Sequence, residues 1–201
     1  YYISAKEGYK IPDRILTLTD DVAKRYKIRT RHLKMRDYDN EVENVIELSN
    51  KSLADNWGYT QVTRKEAEAI GSDLKQILHP RGVIFAEDAN GRPVGFAIAI
   101  PDINYLIRDL RGHLLPLGWL RVARGLPRLR RYRLFALGVL PEYQGKGIDS
   151  LIYRALYESL FSEDLWLEIN YVLEDNAPMN NAIIKLEAKP LRRYRIYQRR
   201  I

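Results

Sequence analysis

Four consecutive residues in the second half of the chain, Gln144, Gly145, Lys146 and Gly147, have types and spacing that suit phosphate binding. Glycine lets the backbone turn sharply, and a helix that begins directly after such a turn leaves its first N–H groups without acceptors. Those N–H groups and the positive end of the helix dipole bind anions. The four residues therefore predict a diphosphate site, and the alternative is an ordinary glycine turn between a strand and a helix.

The segments on both sides of this turn must position it. The preceding run 134–140 is apolar at nearly every position, which is typical of a strand buried on both faces. The following segment repeats apolar residues at helical spacing, namely Ile148, Leu151, Ile152, Ala155, Leu156 and Leu160. The order is therefore buried strand, phosphate-sized loop and amphipathic helix.

Residues 139–148, VLPEYQGKGI, resemble the acetyl-CoA signature of the GNAT superfamily of N-acetyltransferases, whose core pattern is Gln/Arg-x-x-Gly-x-Gly/Ala. Gln144 and Gly147 match the first two fixed positions. Asp149 departs from the third, where a carboxylate helps a helix to start but repels a diphosphate. The resemblance covers residues 29–201.

The resemblance implies an α/β fold with a mixed, mostly antiparallel central sheet of about six to seven strands. Helices flank that sheet, which is splayed between the fourth and fifth strands. The sequence supports this order: alternating or apolar runs predict strands at 29–36, 82–87, 93–100, 134–140, 164–172 and 190–201. Helices are predicted from Glu41, after a capping box at Thr63–Glu66, after the loop, and after Asn176.

The expected domain organisation has two parts and one unusual segment. Residues 1–28 are predicted to be an N-terminal connector or extension, which would dock on a preceding domain if one exists, and residues 29–201 the GNAT-like domain. A leucine- and arginine-rich insertion at about 101–131 is broken by glycines and prolines, which predicts short, bent helices. It is interpreted as a cover on the sheet, a lid over the acceptor cleft, or a peripheral membrane contact through 114–131.

The resemblance also assigns the binding residues. Backbone groups of Leu137 and Val139 would bind the pantetheine arm and polarise the thioester carbonyl. Asn176 would touch the same arm, and its alternative role is a helix cap. The diphosphate would be held by the backbone of the loop and of the first helical residue, namely by Gln144, Gly145, Lys146, Gly147 and Ile148.

Direct acyl transfer to an amine requires a group that removes a proton from the amine. Glu168 is the first candidate for this base and Glu87 the second, and the alternative for each is an ion-paired strand residue. Many family members protonate the leaving thiolate with a tyrosine on the helix after the fifth strand, which this sequence lacks. Tyr171, Tyr194 or a water would serve instead.

Composition narrows the function further. The chain has no cysteine, which excludes disulfides and cysteine nucleophiles, and its three histidines have no metal-ligand spacing. No apolar run reaches the roughly 18–20 residues of a membrane-spanning helix, and no signal peptide is evident, so a cytoplasmic location is expected. The net charge of +7 favours acidic partners.

Together these features predict an N-acetyltransferase that uses acetyl-CoA, without a metal, to acylate a primary amine of unknown identity. One alternative is a non-catalytic GNAT-like module that binds CoA or a protein partner. The other is a basic protein that binds a membrane surface or nucleic acid. Nucleic acid is the less favoured partner, because no recognised binding motif surrounds the C-terminal arginines.

Overall fold

The computed structural model describes residues 1–110, 113, 115–170, 172–197 and 199. A six-stranded sheet runs through its centre in the order β1-β6-β5-β4-β3-β2. Its strands are β1 (Tyr2–Ser4), β2 (Arg29–His32), β3 (Val83–Glu87), β4 (Pro93–Pro101), β5 (Arg131–Val139) and β6 (Trp166–Ile169). Neighbouring strands are antiparallel except β5 and β6, which are parallel. This architecture confirms the predicted fold class.

Helices cover both faces of the sheet. They are α1 (Asp13–Tyr26), α2 (Tyr38–Ser52), α3 (Arg64–Lys75), α4 (Asn104–Ile107), α5 (Gly118–Gly125), α6 (Ile148–Leu160) and α7 (Ala177–Lys185). A Cβ atom at Gly95 would lie 3.0 Å from Ile152 of α6, whereas one at Gly138 would collide with Ser52 of α2. Because Gly138 pairs with Phe96, the residue after Gly95, α6 and α2 pack on opposite faces.

Several elements form where local sequence signals place them. The Thr63 hydroxyl accepts a hydrogen bond from the Glu66 amide at 3.3 Å, and the Glu66 carboxylate accepts one from the Thr63 amide at 2.9 Å. This capping box starts α3 as predicted. The β3–β4 hairpin turns at Gly91, whose φ of 82° suits glycine. The predicted apolar stripe of α6 is buried except at Ala155, which is partly buried.

The two ends of the chain contribute unequally to the sheet. Within residues 1–28, β1 joins the sheet beside β6 and α1 packs on α6, so these elements belong to the same body as the sheet. The domain boundary at residue 28 stays a prediction. The predicted closing strand 190–201 is wrong for its described residues, 190–197 and 199, which contain no strand. The reason is that β1 already occupies the free edge of β6, and only Lys189 bridges to Tyr2.

The insertion between β4 and β5 forms short helices with bends, as predicted. Helix α5 rests on α4: a Cβ atom at Gly125 would lie 2.8 Å from the Leu106 side chain, so only a residue without one fits there. In the part of the chain that the structure describes, no helix is both long and apolar enough to cross a membrane.

Candidate functional site

A cleft of about 1070 Å³ opens where β5 and β6 separate. The two strands pair only from Arg131 to Leu134, and the last pair joins Leu134 to Ile169. The β4–β5 register shifts at the same level, between Ile98 and Ala99, which leaves Phe135 as an extra residue on β5. From there to Val139, β5 pairs with β4 alone. This separation is the predicted splay, the fourth and fifth predicted strands being β5 and β6.

The end of β5 therefore offers unpaired backbone groups to the cleft. Leu137, Gly138 and Val139 line it. Beyond Leu134, β6 no longer pairs with β5, so the edge of β5 on the β6 side has no strand partner among the described residues. An extended ligand can pair with that edge instead. Gly138 has a second role: the end of α2 packs so closely here that a side chain at this position would collide with Ser52.

The loop after β5 has the backbone geometry that suits an anion. Gly145 and Gly147 have φ values of 70° and 79°, and α6 begins at Ile148. Within the described residues, the backbone amides from Gly145 to Asp149 donate to no protein acceptor, whereas the amides of Gln144 and Ser150 do. Five successive free N–H groups at a helix N-terminus form a concave anion site.

Two side chains fix this loop and add charge. The Gln144 side-chain amide donates to the Val139 carbonyl at 3.0 Å, which ties the loop to the end of β5. The Lys146 ammonium lies 4.9 Å from the centre of the Tyr143 ring and 5.6 Å from that of Tyr26, close enough for cation–π attraction. Asp149, the departure from the family pattern, also lines the cleft.

The structure brings together most of the predicted binding residues. Those that line the cleft are Leu137, Val139, Gln144, Gly145, Lys146, Gly147 and Asn176. Ile148 does not: its side chain is buried in the core, and only its amide belongs to the loop. Asn176 caps α7, where its side-chain oxygen accepts a hydrogen bond from the Met179 amide at 3.1 Å. It thus caps a helix and faces the cleft at once.

Glu168 lies where β5 and β6 begin to separate, and its side chain is on the face of the sheet opposite α6. Its neighbours Leu167 and Ile169 face α6, so alternation turns Glu168 away from that helix. Its carboxylate is 3.4 Å from the Arg133 guanidinium, which is also 3.2 Å from the Asp102 carboxylate. Glu168 does not line the cleft in this structure.

Glu87, the second candidate base, lies at the end of β3 and is bonded to Arg31 and Arg29 of β2. Burial opposes its ionisation, but the hydrogen bonds from Arg31 and Arg29 outweigh burial and lower the pKa of the carboxyl group. A carboxylate held by two guanidiniums is a poor base. Neither glutamate lines the cleft, and Glu168, which lies where β5 and β6 separate, remains the first candidate.

A tyrosine that the sequence interpretation overlooked lines the cleft. Tyr153 of α6 is buried, and its hydroxyl contacts the Met179 sulfur at 2.9 Å. Burial and the charge of Asp149 raise the pKa of this hydroxyl, so it stays protonated. Of the two tyrosines predicted from the sequence, Tyr194 is largely exposed, and Tyr171 lies outside the described residues. The sequence could have indicated Tyr153, because it places a hydroxyl-bearing residue among the apolar residues of the helix at 148–160.

Comparisons with known proteins agree with this geometry. The model of the acetyltransferase (GNAT) family matches residues 43–183. Protein YghO of Escherichia coli is 32% identical over 191 residues, which cover 92% of this chain and 48% of that protein. The bacterial ceramide synthase of Caulobacter vibrioides is 31% identical over 176 residues, 84% of this chain and 46% of that protein. The chain thus spans about half the length of these curated relatives.

Solved structures of similar fold are more distant in sequence. The aminoglycoside N-acetyltransferase AAC(6')-Iy, solved in complex with CoA, superposes with a TM-score of 0.55 at 15% identity. The match covers 87% of this chain and 95% of that one. At this identity the likeness shows a shared fold.

Proposed function

Since this chain belongs to the acetyltransferase (GNAT) family, we propose that it transfers an acyl group from acyl-CoA to a primary amine. The observation that carries the proposal is the row of free amides from Gly145 to Asp149, placed at the mouth of the splay between β5 and β6. Such amides suit a diphosphate, and the unpaired edge of β5 suits the amide-containing arm attached to it.

Different residues of the cleft bind different parts of acyl-CoA. The free amides and Lys146 bind the diphosphate, and the backbone of Leu137 and Val139 binds the pantetheine arm. The Val139 carbonyl already accepts from Gln144, so its N–H and the groups of Leu137 carry most of that contact. A backbone N–H directed at the thioester oxygen would stabilise the oxyanion that forms during attack. Since the chain has no cysteine, direct attack by the amine within a ternary complex is the proposed route.

Gly145→Asp tests the diphosphate site, with Gly145→Asn as the matched control. Both side chains tolerate a positive φ, and no atom lies within 4 Å of a Cβ atom placed at Gly145. We expect the aspartate variant to weaken CoA binding by tenfold or more through charge repulsion, of the order of 1–2 kcal/mol. Calorimetric titration with CoA should show a much smaller effect for asparagine, and equal effects would contradict the site.

Tyr153 is proposed as the donor that protonates the leaving thiolate. The family position for this tyrosine falls near Ile183 on α7, whose side chain is fully packed in the core. The Tyr153 hydroxyl reaches α7 from α6 instead, lines the cleft and already contacts a sulfur atom, that of Met179. The hydroxyl is protonated at neutral pH, as in any tyrosine, and burial together with the charge of Asp149 raises its pKa further.

Tyr153→Phe is expected to lower kcat by about tenfold to a hundredfold. This is a small effect for the loss of a general acid, because a thiolate leaves tolerably well without protonation. CoA affinity should stay unchanged, since only the hydroxyl is removed. The control is Tyr132→Phe, a buried tyrosine of β5 that lines neither the cleft nor the cavity beside it. An unchanged kcat in the Tyr153 variant, measured by thiol release, would assign the proton to water.

The acceptor proposed for this chain is a long-chain lipid amine. The Caulobacter relative is named for making ceramide, an amide of a fatty acid with a long-chain amine. A small apolar cavity adjoins the cleft, and Tyr153 and Leu186 line both spaces. This cavity has a volume of only about 20 Å³, which is too small for an acyl chain, so the lipid acceptor is proposed from the chemistry named for the relative.

The function is tested by release of free CoA with a panel of amines and with acetyl-, octanoyl- and palmitoyl-CoA as donors. We expect turnover with at least one amine, and a loss of turnover by tenfold or more in Gly145→Asp at donor concentrations below saturation. CoA binding with no turnover for any amine would instead identify a non-catalytic module. Turnover with acetyl-CoA and small polar amines alone would overturn the lipid acceptor but keep the enzyme.

A further inference from the structure

The insertion between β4 and β5 presents exposed apolar side chains beside uncompensated positive charge. Leu115, Leu117 and Trp119 are 77%, 68% and 51% exposed. Residues 113–131 contain five arginines and no carboxylate. Within the described residues, Arg124 and Arg128 have no carboxylate within salt-bridge distance. We call Leu115, Leu117, Trp119, Arg124 and Arg128 the Leu–Arg surface.

The packing of α5 explains why this surface faces outward. Gly118 and Gly125 sit against α4 and the turn after it, where a Cβ atom would lie 2.7 Å from the His113 carbonyl or 2.8 Å from Leu106. The helix therefore rests on its glycine side, which leaves Trp119 and Arg124 exposed. Leu115 and Leu117 precede this helix and Arg128 follows it, and all three side chains are exposed as well.

We propose that the Leu–Arg surface docks on an anionic lipid bilayer. Exposed leucines and a tryptophan alone would suit a bilayer or another protein. The unpaired arginines favour the bilayer, because a layer of anionic headgroups pairs every guanidinium, whereas a protein partner would have to supply a carboxylate opposite each one. Lipid phosphates supply the missing negative charge, arginine stems reach from apolar surface to headgroups, and tryptophan favours that interface.

The two ends of the insertion contact the part of the sheet that carries Glu168, the candidate base. The Asp102 carboxylate, directly after β4, lies 3.2 Å from the Arg133 guanidinium, which also contacts Glu168. At the other end, the Arg131 guanidinium lies 3.7 Å from the centre of the Trp166 ring on β6. If the acceptor is the lipid amine of the proposed function, on which this step rests, docking here would present it to Glu168 from the bilayer.

The test is co-sedimentation of the full chain with phosphatidylcholine vesicles that contain or lack phosphatidylglycerol. We expect binding that requires the anionic lipid and weakens as salt is raised. Arg124→Gln/Arg128→Gln should lower the partition coefficient by about 30-fold, the effect of removing two arginines at a charged surface. Leu117→Ser/Trp119→Ser should lower it by about tenfold through lost apolar contact.

Matched controls separate the surface from overall charge and hydrophobicity. Arg192→Gln/Arg193→Gln removes the same charge from an exposed segment elsewhere, and Ile70→Ser removes an exposed apolar side chain from α3. Both should bind vesicles like the parent chain. Equal losses in the two arginine pairs would overturn the proposal, as would no vesicle binding, or self-association that Leu117→Ser/Trp119→Ser abolishes.

The outcome is distinguishable from failure of the proposed function. Acyl transfer to a water-soluble amine without vesicles should be unaffected by the Leu–Arg surface variants, because none of these residues lines the cleft. Vesicle binding without any acyl transfer would refute the enzyme and leave the surface. Acyl transfer without vesicle binding would refute the surface and leave the enzyme.

Discussion

Arg31→Gln is expected to destabilise the fold by roughly 3–5 kcal/mol, the cost of leaving buried carboxylates without their cation. Arg31 of β2 bridges two of them: its guanidinium is 2.9 Å from Glu41 and also bonded to Glu87. The Glu41 and Glu87 side chains are only 1% and 4% exposed. The guanidinium further stacks on Phe85, with 4.6 Å to the ring centre. Urea unfolding at neutral pH measures the change.

Arg29→Gln is the matched control for this prediction. Arg29 lies on the same strand and also bonds Glu87, at 2.9 Å, but its side chain is 70% exposed. An exposed partner contributes at most about 1 kcal/mol, so the control should unfold near the parent midpoint. Equal losses for both variants would show that burial of the carboxylates does not set the cost.

The pH dependence provides a second check on the same cluster. The pKa of Glu87 is lowered in the folded state, so its contribution to stability is complete above the unfolded value, about 4.5, and is lost as the pH falls through the folded value. In Arg31→Gln the charged form of Glu87 loses one of its two cations, and protonation of Glu87 relieves the resulting penalty. The difference between parent and variant should therefore shrink in acid.

The sequence predicted correctly those elements whose structure depends on residues close to one another in the chain. The capping box at Thr63–Glu66, the glycine of the β3–β4 hairpin and the apolar stripe of α6 each depend on neighbours within a few residues, and all three are present. The anion loop was predictable for the same reason, since its free amides follow from two glycines and a helix start. The family resemblance added the splay, which no short segment encodes.

Predictions failed where the outcome depends on competition between distant segments. Residues 190–197 alternate as a strand would, but β1 pairs with the free edge of β6 first, through Tyr2 and Glu168. Tyr153 was overlooked for a related reason: its place beside the cleft depends on packing between helices, and its hydroxyl contacts Met179 of α7 at 2.9 Å. Sequence also placed Glu168 on a strand face without revealing which side of the sheet that face covers.

Glu168→Gln is expected to lower the rate of acyl transfer by about a hundredfold or more at neutral pH, the contribution of a general base. The carboxylate lies beside the last residue pair before β5 and β6 separate, and its side chain is only 12% exposed. From there it can accept a proton from an amine that approaches the thioester from the face opposite α6. The glutamine variant keeps the shape and removes the acceptor of that proton.

A merely structural ion pair with Arg133 would also be disturbed by this variant, so the test needs a readout specific to proton removal. The rate of Glu168→Gln should recover as the pH is raised toward the pKa of the amine, and amines that are already neutral at pH 7 should show little loss. CoA affinity and the melting temperature should stay near those of the control Glu158→Gln, an exposed ion-paired glutamate of α6. A loss that is equal for basic and weakly basic amines would contradict the base role, because only protonated amines need a base before they can attack.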